Sequence, residues 1–226
     1  MKTETVRQNN AENEYTVRKN RENDYTVCKN RENHHTVCKN GTKTEKSALR
    51  RRLIEKRNAM SAKVREELDR AIAERVAALP CFRDATAVLL YVPVATEIDV
   101  SPLMREAWRR GIPVGLPVCD PATKTMTFRR AEPNVPLTEG AFGIPTPPKD
   151  AERIKPNEKT VCVLPALAYD RNRVRLGYGG GYYDRFLDAF AGISVGVAYE
   201  KTVLDSVCAE VHDRPADVLV TESNVF

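Results

Sequence analysis

Four short, almost unbroken apolar runs limit the folds open to this 226-residue chain more than any other feature. They occupy residues 87–92, 161–165, 193–199 and 216–220. A membrane span needs about 20 apolar residues, so these are far too short. They also lack the polar–apolar alternation of a half-exposed strand, and they read as strands covered on both faces. Helical patterns separate them. Leu49, Leu53 and Ile54 fall at helical spacing among lysines and arginines, from Thr44 to about Met60. Ser61 is placed to cap a second helix, with Val64, Leu68, Ile72, Val76 and Leu79 on one side and Pro80 beyond. Ser101-Pro102 reads as an N-cap and first helical residue, Gly111 closes that helix, and Trp108 is a packing residue on it. Strands alternating with helices predict an α/β fold, a three-layer sandwich in which helices flank a mainly parallel sheet. Residues 112–118 are a further strand candidate, kept near an edge or paired only through its middle by Pro113 and Pro117. Residues 120–157, rich in proline and turn formers, read as loops with short strands.

The pattern is absent from the first forty residues, MKTETVRQNN AENEYTVRKN RENDYTVCKN RENHHTVCKN, a ten-residue repeat with a degenerate first copy. Each full copy carries one Thr-Val pair among polar and charged residues, so burial cannot offset the entropy lost on folding. Stacking repeats are longer, about 20–50 residues, and bring an apolar face. Residues 1–43 therefore read as a disordered or loosely helical tail, dispensable to a domain at 44–226. Cys28, His34, His35 and Cys38 are potential zinc ligands, but their spacing matches no standard finger and the cysteines recur because the repeat recurs. The 36 basic and 31 acidic residues are well mixed, and a net +5 is too diffuse for a nucleic-acid footprint. Cys81, Cys119, Cys162 and Cys208 form no C-x-x-C pair and read as free thiols of a reducing compartment. With no apolar span and no apolar signal core, the expectation is a cytoplasmic monomer with neither membrane nor nucleic acid as partner.

The chemistry is concentrated in residues 170–185, DRNRVRLGYGGGYYDR. Four glycines in five positions (Gly177, Gly179, Gly180 and Gly181) let backbone N–H groups approach an anion closely. A helix expected over 182–191 would add its positive end. Arg173 and Arg175 could grip phosphate oxygens. No Gly-Lys-Ser/Thr follows, so this is not a Walker A loop, and it is not G-x-G-x-x-G either. By local chemistry Asp184 reads equally as a Mg²⁺ ligand on bound phosphates or as a first-turn helix residue.

The run RLGYGGGYYDR at residues 175–185 resembles the signature of the 5-formyltetrahydrofolate cyclo-ligases, also called methenyltetrahydrofolate synthetases. Lys46-Ser47-Ala48-Leu49-Arg50, with Arg57 beyond, is similar to that family's N-terminal Lys-x-x-Leu-Arg helix. Tyr91-Val92-Pro93 with Glu97-Ile98-Asp99 resembles its strand and acidic loop, and Gly143-Ile144-Pro145-Thr146-Pro147 its Gly-Ile-Pro-x-Pro segment. The likeness spans about residues 44–222. It implies ATP-dependent conversion of 5-formyltetrahydrofolate, with or without a polyglutamate tail, to 5,10-methenyltetrahydrofolate with Mg²⁺. It assigns Lys46 and Arg50 to the ATP phosphates. Arg175 and the loop Gly177, Tyr178, Gly179, Gly180, Gly181, Tyr182 and Tyr183 would cradle the nucleotide. Asp184 and Asp213 would serve the metal, and Val92, Glu97, Phe142 and Tyr183 would meet the folate. Arg175 and Tyr183 carry the catalytic roles. Without the resemblance, Lys46 and Arg50 read as a solvated helix face, Glu97 as a loop acid and Asp213 as a turn residue. Thr146 and Phe142 stand where relatives often carry Glu or Gln and Trp, respectively. A binding protein of the same fold without turnover is the alternative.

Overall fold

The structure is a computed structural model that describes residues 43–208 and 213–226, together with the backbone at 18–19 and 25–26. In the tail, β1 (Arg18–Lys19) pairs antiparallel with β2 (Tyr25–Thr26). The rest of the tail, where the expectation of disorder and the cysteine–histidine cluster fall, lies outside the described residues. Helices α1 (Lys43–Asn58), α2 (Ala62–Ala78) and α3 (Pro80–Arg83) lead to β3 (Ala87–Leu89) and α4 (Ser101–Arg109). A hairpin of β4 (Val114–Asp120) and β5 (Thr125–Ala131) follows, then the short strands β6 (Thr138–Glu139), β7 (Pro145–Thr146) and β8 (Arg153–Ile154). Next come β9 (Thr160–Leu164), the hairpin β10 (Ala168–Asp170) and β11 (Arg175–Leu176), and α5 (Tyr182–Asp188). The chain ends through β12 (Ile193–Val197), β13 (Val203–Leu204) and β14 (Val218–Val220). No described helix is long and apolar enough to cross a membrane.

The main sheet has the order β14-β12-β9-β3-β4-β5-β8. Its pairings are parallel from β14 to β4 and antiparallel from β4 through β5 to β8. The unbroken apolar runs are its centre, because alternate residues enter cores on opposite faces. Val88, Leu90, Val161, Val163 and Val195 pack with Ile72 and Val76 of α2 and Leu103 of α4. Leu89, Cys162 and Leu164 pack on the other face with Phe186 and Phe190 at α5. Three layers follow directly. Gly196 interrupts its run because a Cβ there would stand 2.5 Å from Cζ of the buried Tyr169 ring.

The structure departs from the sequence expectations in four places. The α4 cap is Val100, and it is the Asp99 carboxylate that accepts from Ser101 N at 2.9 Å, so the side-chain cap lies two residues earlier than expected. Strand β4 lies inside the sheet: β3 pairs only with Val114 and Gly115, and ends before Pro117 would have to donate. The stretch read as loops with short strands does hold the two-residue β6, β7 and β8, but it also contains β5, seven residues long and paired along all of β4. The fourth departure is on α1. Of the expected apolar side, Leu53 is buried and Leu49 is half-buried against the same cluster, but Ile54 is 37% exposed, so the fully buried face is a different line. It is the line Lys46, Leu53 and Arg57, exposed only 7%, 4% and 2%, with Arg50 half-buried on the same side. Steps of four, three and four residues at 3.6 per turn keep these side chains on one face. A basic stripe faces inward.

Candidate active site

Three segments meet beyond the carboxyl ends of β3 and β9: the inner face of α1, the acidic loop at 93–99, and the glycine loop at 177–181 leading into α5. The β10–β11 hairpin that feeds the glycine loop is held by Asp170, whose Oδ1 accepts from Asn172 N at 2.9 Å and Val174 N at 3.0 Å. The glycine loop therefore leaves a small second sheet, β11-β10-β13, rather than coming straight off a strand of the main sheet. Gly179 and Gly181 take φ of +98° and +65°, a region costly for other residues. Arg50 lies against this turn and donates Nε to Gly177 O at 2.8 Å. Helix α5 is only seven residues long, so the loop's N–H groups and the surrounding basic side chains, not a long helix dipole, define the anion-binding character.

Of the two arginines ahead of the loop, Arg173 donates Nε to Ala216 O at 3.1 Å. Arg175 is the one that reaches the site. It is buried, its Nη2 lies 2.6 Å from Asp184 Oδ1, and its Cζ lies 5.7 Å from the Tyr183 ring centroid. Arg175 Nη1 and the Tyr183 hydroxyl are both buried with no hydrogen-bond partner among the described residues. Leaving such groups unmatched costs about 1–3 kcal/mol each, so a site that keeps them is suited to a ligand that brings the acceptors. Burial pushes the Tyr183 hydroxyl well above the usual tyrosine range, so it is a hydrogen-bond donor and not a phenolate. Lys46 Nζ closes the other side, 3.0 Å from Asp213 Oδ2.

On the acidic loop, Glu97 Oε2 accepts from Val94 N at 2.9 Å. Burial raises its carboxyl above the ordinary value, against that hydrogen bond, the charge of Arg57 and a hydrogen bond with Tyr178. The Tyr178 hydroxyl is pushed up to about 12, by burial and then by Glu97. Val92 is half-buried against the core on the α2–α4 side. Phe142 is 65% exposed at φ +61° and reaches the glycine loop by an edge contact with Tyr182, centroids 5.8 Å apart. Thr146 is buried in β7, and its carbonyl accepts from Thr138 Oγ1 at 3.3 Å.

The expected site residues thus divide into a linked set and outliers. Lys46 with Asp213, Arg50 with the loop, and Arg175 with Asp184 and Tyr183 are joined by direct contacts, while Glu97 is held within its own loop by Val94 N. Phe142 joins through Tyr182, while Val92 is tied to the core. Arg57 had only the standing of a landmark, yet it is buried and donates Nη2 to Ala166 O at 2.6 Å and Leu167 O at 3.2 Å; its spacing of seven from Arg50 was the signal. Among the described residues no three His, Cys, Asp or Glu side chains cluster as a metal cage. Asp184 and Asp213 are instead two separate carboxylates, each paired with a base. That donor set fits Mg²⁺ held mainly by phosphates, with one or two carboxylates completing its shell.

The sequence profile of the 5-formyltetrahydrofolate cyclo-ligase family matches residues 42–222. A 5-formyltetrahydrofolate cyclo-ligase of Haemophilus influenzae is 35% identical over 61% of this chain and 77% of its own length. The Escherichia coli K12 protein of that name is 29% identical over 76% of this chain and 97% of its own. Among solved structures, the Aquifex aeolicus 5,10-methenyltetrahydrofolate synthetase superimposes with a TM-score of 0.70 at 36% identity, covering 80% of this chain and 91% of that one. A synthetase from Mycoplasma pneumoniae, at 22% identity and TM-score 0.64 over 79% and 99%, shares the fold.

Proposed function

The chain belongs to the 5-formyltetrahydrofolate cyclo-ligase family, and from that premise we propose how its own residues carry out the ATP-dependent conversion of 5-formyltetrahydrofolate to 5,10-methenyltetrahydrofolate. The observation that carries the reading is the pair of unmatched buried donors, Arg175 Nη1 and the Tyr183 hydroxyl, beside a glycine loop braced by Arg50. An amide-like formyl oxygen is a poor leaving group until it is phosphorylated. The formyl oxygen attacks the γ-phosphorus, the bond to the β,γ-bridging oxygen breaks, and ADP leaves. N10 then adds to the activated carbon and loses its proton, and the C–O electrons depart with phosphate as the methenyl bridge forms.

The protein's part is alignment and charge neutralisation. Lys46 and Arg50 hold the ATP phosphates against the N–H groups of the glycine loop. Arg175 follows the transferring phosphoryl group, and the Tyr183 hydroxyl donates to the formyl end of the folate. Glu97 accepts from folate N–H groups, with Val92 and Phe142 bounding the folate. Asp184 and Asp213 would hold Mg²⁺ with nucleotide phosphates in place of their basic partners, and a bound ion there would supply screening of the phosphate charge. Product, read by the ultraviolet absorption of methenyltetrahydrofolate, is expected only with ATP and Mg²⁺ together. Equal rates in EDTA would remove the metal from this scheme. No product under any condition would favour the binding protein without turnover.

Residues 1–43 are a tail to the domain at 44–226, whose inner α1 face begins at Lys46. Deletion of residues 1–40 is expected to leave melting temperature and turnover nearly unchanged. A large loss in either would place the tail in the working structure.

A further inference from the structure

Asp69 is the charged member of the buried stripe on α2. Asp69, Ile72, Ala73 and Val76 fall at helical spacing on one face, so the carboxylate fills a place where the pattern calls for an apolar side chain. It is 7% exposed, and burial raises it above its ordinary value. A carboxylate is costly there unless hydrogen bonds compensate it. Its Oδ1 accepts from the Tyr199 hydroxyl at 2.7 Å, and its Oδ2 accepts from Asp99 N at 3.1 Å. Tyr91, buried just past β3, donates its hydroxyl to Ile98 O at 2.7 Å. Ile98 O and Asp99 N are the two polar atoms of one peptide group. That group is planar and rigid, so fixing both atoms fixes the orientation of the backbone that follows Glu97. At the tip of the same loop Ala95 takes φ +52°, a region costly for a residue with a Cβ. Such a conformation persists where its surroundings over-determine it. Glu97 N donates to Val94 O at 3.0 Å and Val94 N to Glu97 Oε2 at 2.9 Å, which closes the tip on itself. The foot is held from the core.

We propose that Asp69 and Tyr91 are positioning residues for this reaction: together they clamp the 98–99 peptide group, so that the acidic loop presents Glu97 to the folate already ordered. The inference rests on the folate assignment of that loop. A loop set before binding leaves the ligand less ordering to impose, and the gain appears in affinity. The clamp therefore acts on folate binding, while the nucleotide, held by α1 and the glycine loop, does not depend on it. Both side chains are buried and act through the loop backbone. Leucine at 69 and phenylalanine at 91 would fill the same space, but they would leave the 98–99 peptide group without these two partners.

The test uses full-length protein and two readings of 5-formyltetrahydrofolate: its calorimetric affinity, and its KM measured beside the KM for ATP. Tyr91→Phe and Asp69→Ala are each expected to weaken folate binding and raise its KM by about 5- to 10-fold, with the KM for ATP within about 2-fold of the unmodified value. Asp69→Asn is expected to stay within about 2-fold on every reading, because its carbonyl oxygen still accepts from Asp99 N and its NH₂ group turns to the Tyr199 oxygen. Hydrogen exchange over residues 93–99 should quicken in the first two variants and not in the third. A lower melting temperature with unchanged folate affinity is what a purely structural pair would give, and it overturns the proposal. So does an equal rise in both KM values. Either result beside normal turnover by the unmodified protein would leave the family activity standing. An unmodified protein that neither binds nor converts 5-formyltetrahydrofolate would remove the folate assignment, and the proposal with it. Should Asp69→Ala fail to fold, Tyr91→Phe decides alone, since it removes one hydroxyl and keeps the ring.

Discussion

Replacing Asp184 with asparagine is expected to lower turnover by at least about 100-fold, the loss of about 3 kcal/mol that follows removal of one electrostatic contact to a transition state. Asparagine keeps the shape of the side chain but not the charge that a hard cation requires. If Asp184 only started a helix, the substitution would be mild in every respect, because asparagine serves helix starts nearly as well. The structure changes that expectation for stability. Asp184 Oδ1 is the counter-charge of Arg175, and the side chains of the two are 20% and 5% exposed. Without the carboxylate a buried guanidinium keeps one hydrogen bond and loses its neutralisation, at a cost of about 1–3 kcal/mol. At about 2–4 °C per kcal/mol for a domain of this size, the melting temperature should fall by several degrees. Rates therefore have to be taken well below the transition and across a Mg²⁺ titration. Near-normal turnover at limiting Mg²⁺ would sink the metal role of Asp184, whatever the melt shows.

The parts of this fold that sequence exposes are those in which local pattern and tertiary environment agree. The runs around Val88, Val163 and Val195 are apolar at every position because both faces of the central strands are covered, and that shows in the letters alone. Strand β5 was hidden because TMTFRRA alternates weakly and its partner β4 carries Pro117; only the full antiparallel register makes it a strand. Helix α1 misled for a different reason. Hydropathy assigns leucine and isoleucine to the inside, yet Lys46 and Arg57 are buried more deeply than Ile54, because ion pairs and carbonyls offset the loss of their hydration. The glycine loop was legible because its φ requirements restrict the residue type, at Gly179 and Gly181 above all. The partners of each charge were not legible. Lys46 and Asp213 lie 167 positions apart in the chain, and no spacing rule connects them.

The Arg175–Asp184 pair allows a sharper separation of folding from chemistry. Arg175→Met is expected to lower turnover roughly 1,000-fold, the lower end of what an arginine on a transferring phosphoryl group contributes. Alone, it also strands Asp184 beside an apolar side chain. Combined with Asp184→Asn it replaces a buried ion pair by a neutral pair of similar volume, a change that is often neutral or stabilising. The double variant should therefore melt at or above the temperature of Asp184→Asn alone, because the uncompensated guanidinium is gone. Its turnover should be no better than that of Arg175→Met. Recovery of stability without recovery of rate is the signature of a pair that supports the fold in the free protein and parts to serve phosphate and Mg²⁺ in the reaction. Melting curves and initial rates for the two single variants and the double form a closed cycle that isolates the coupling between the residues. Turnover by the double variant within about tenfold of the unmodified protein would mean that the pair is a structural clamp, and the phosphoryl group would then have to be held by Lys46 and Arg50 alone.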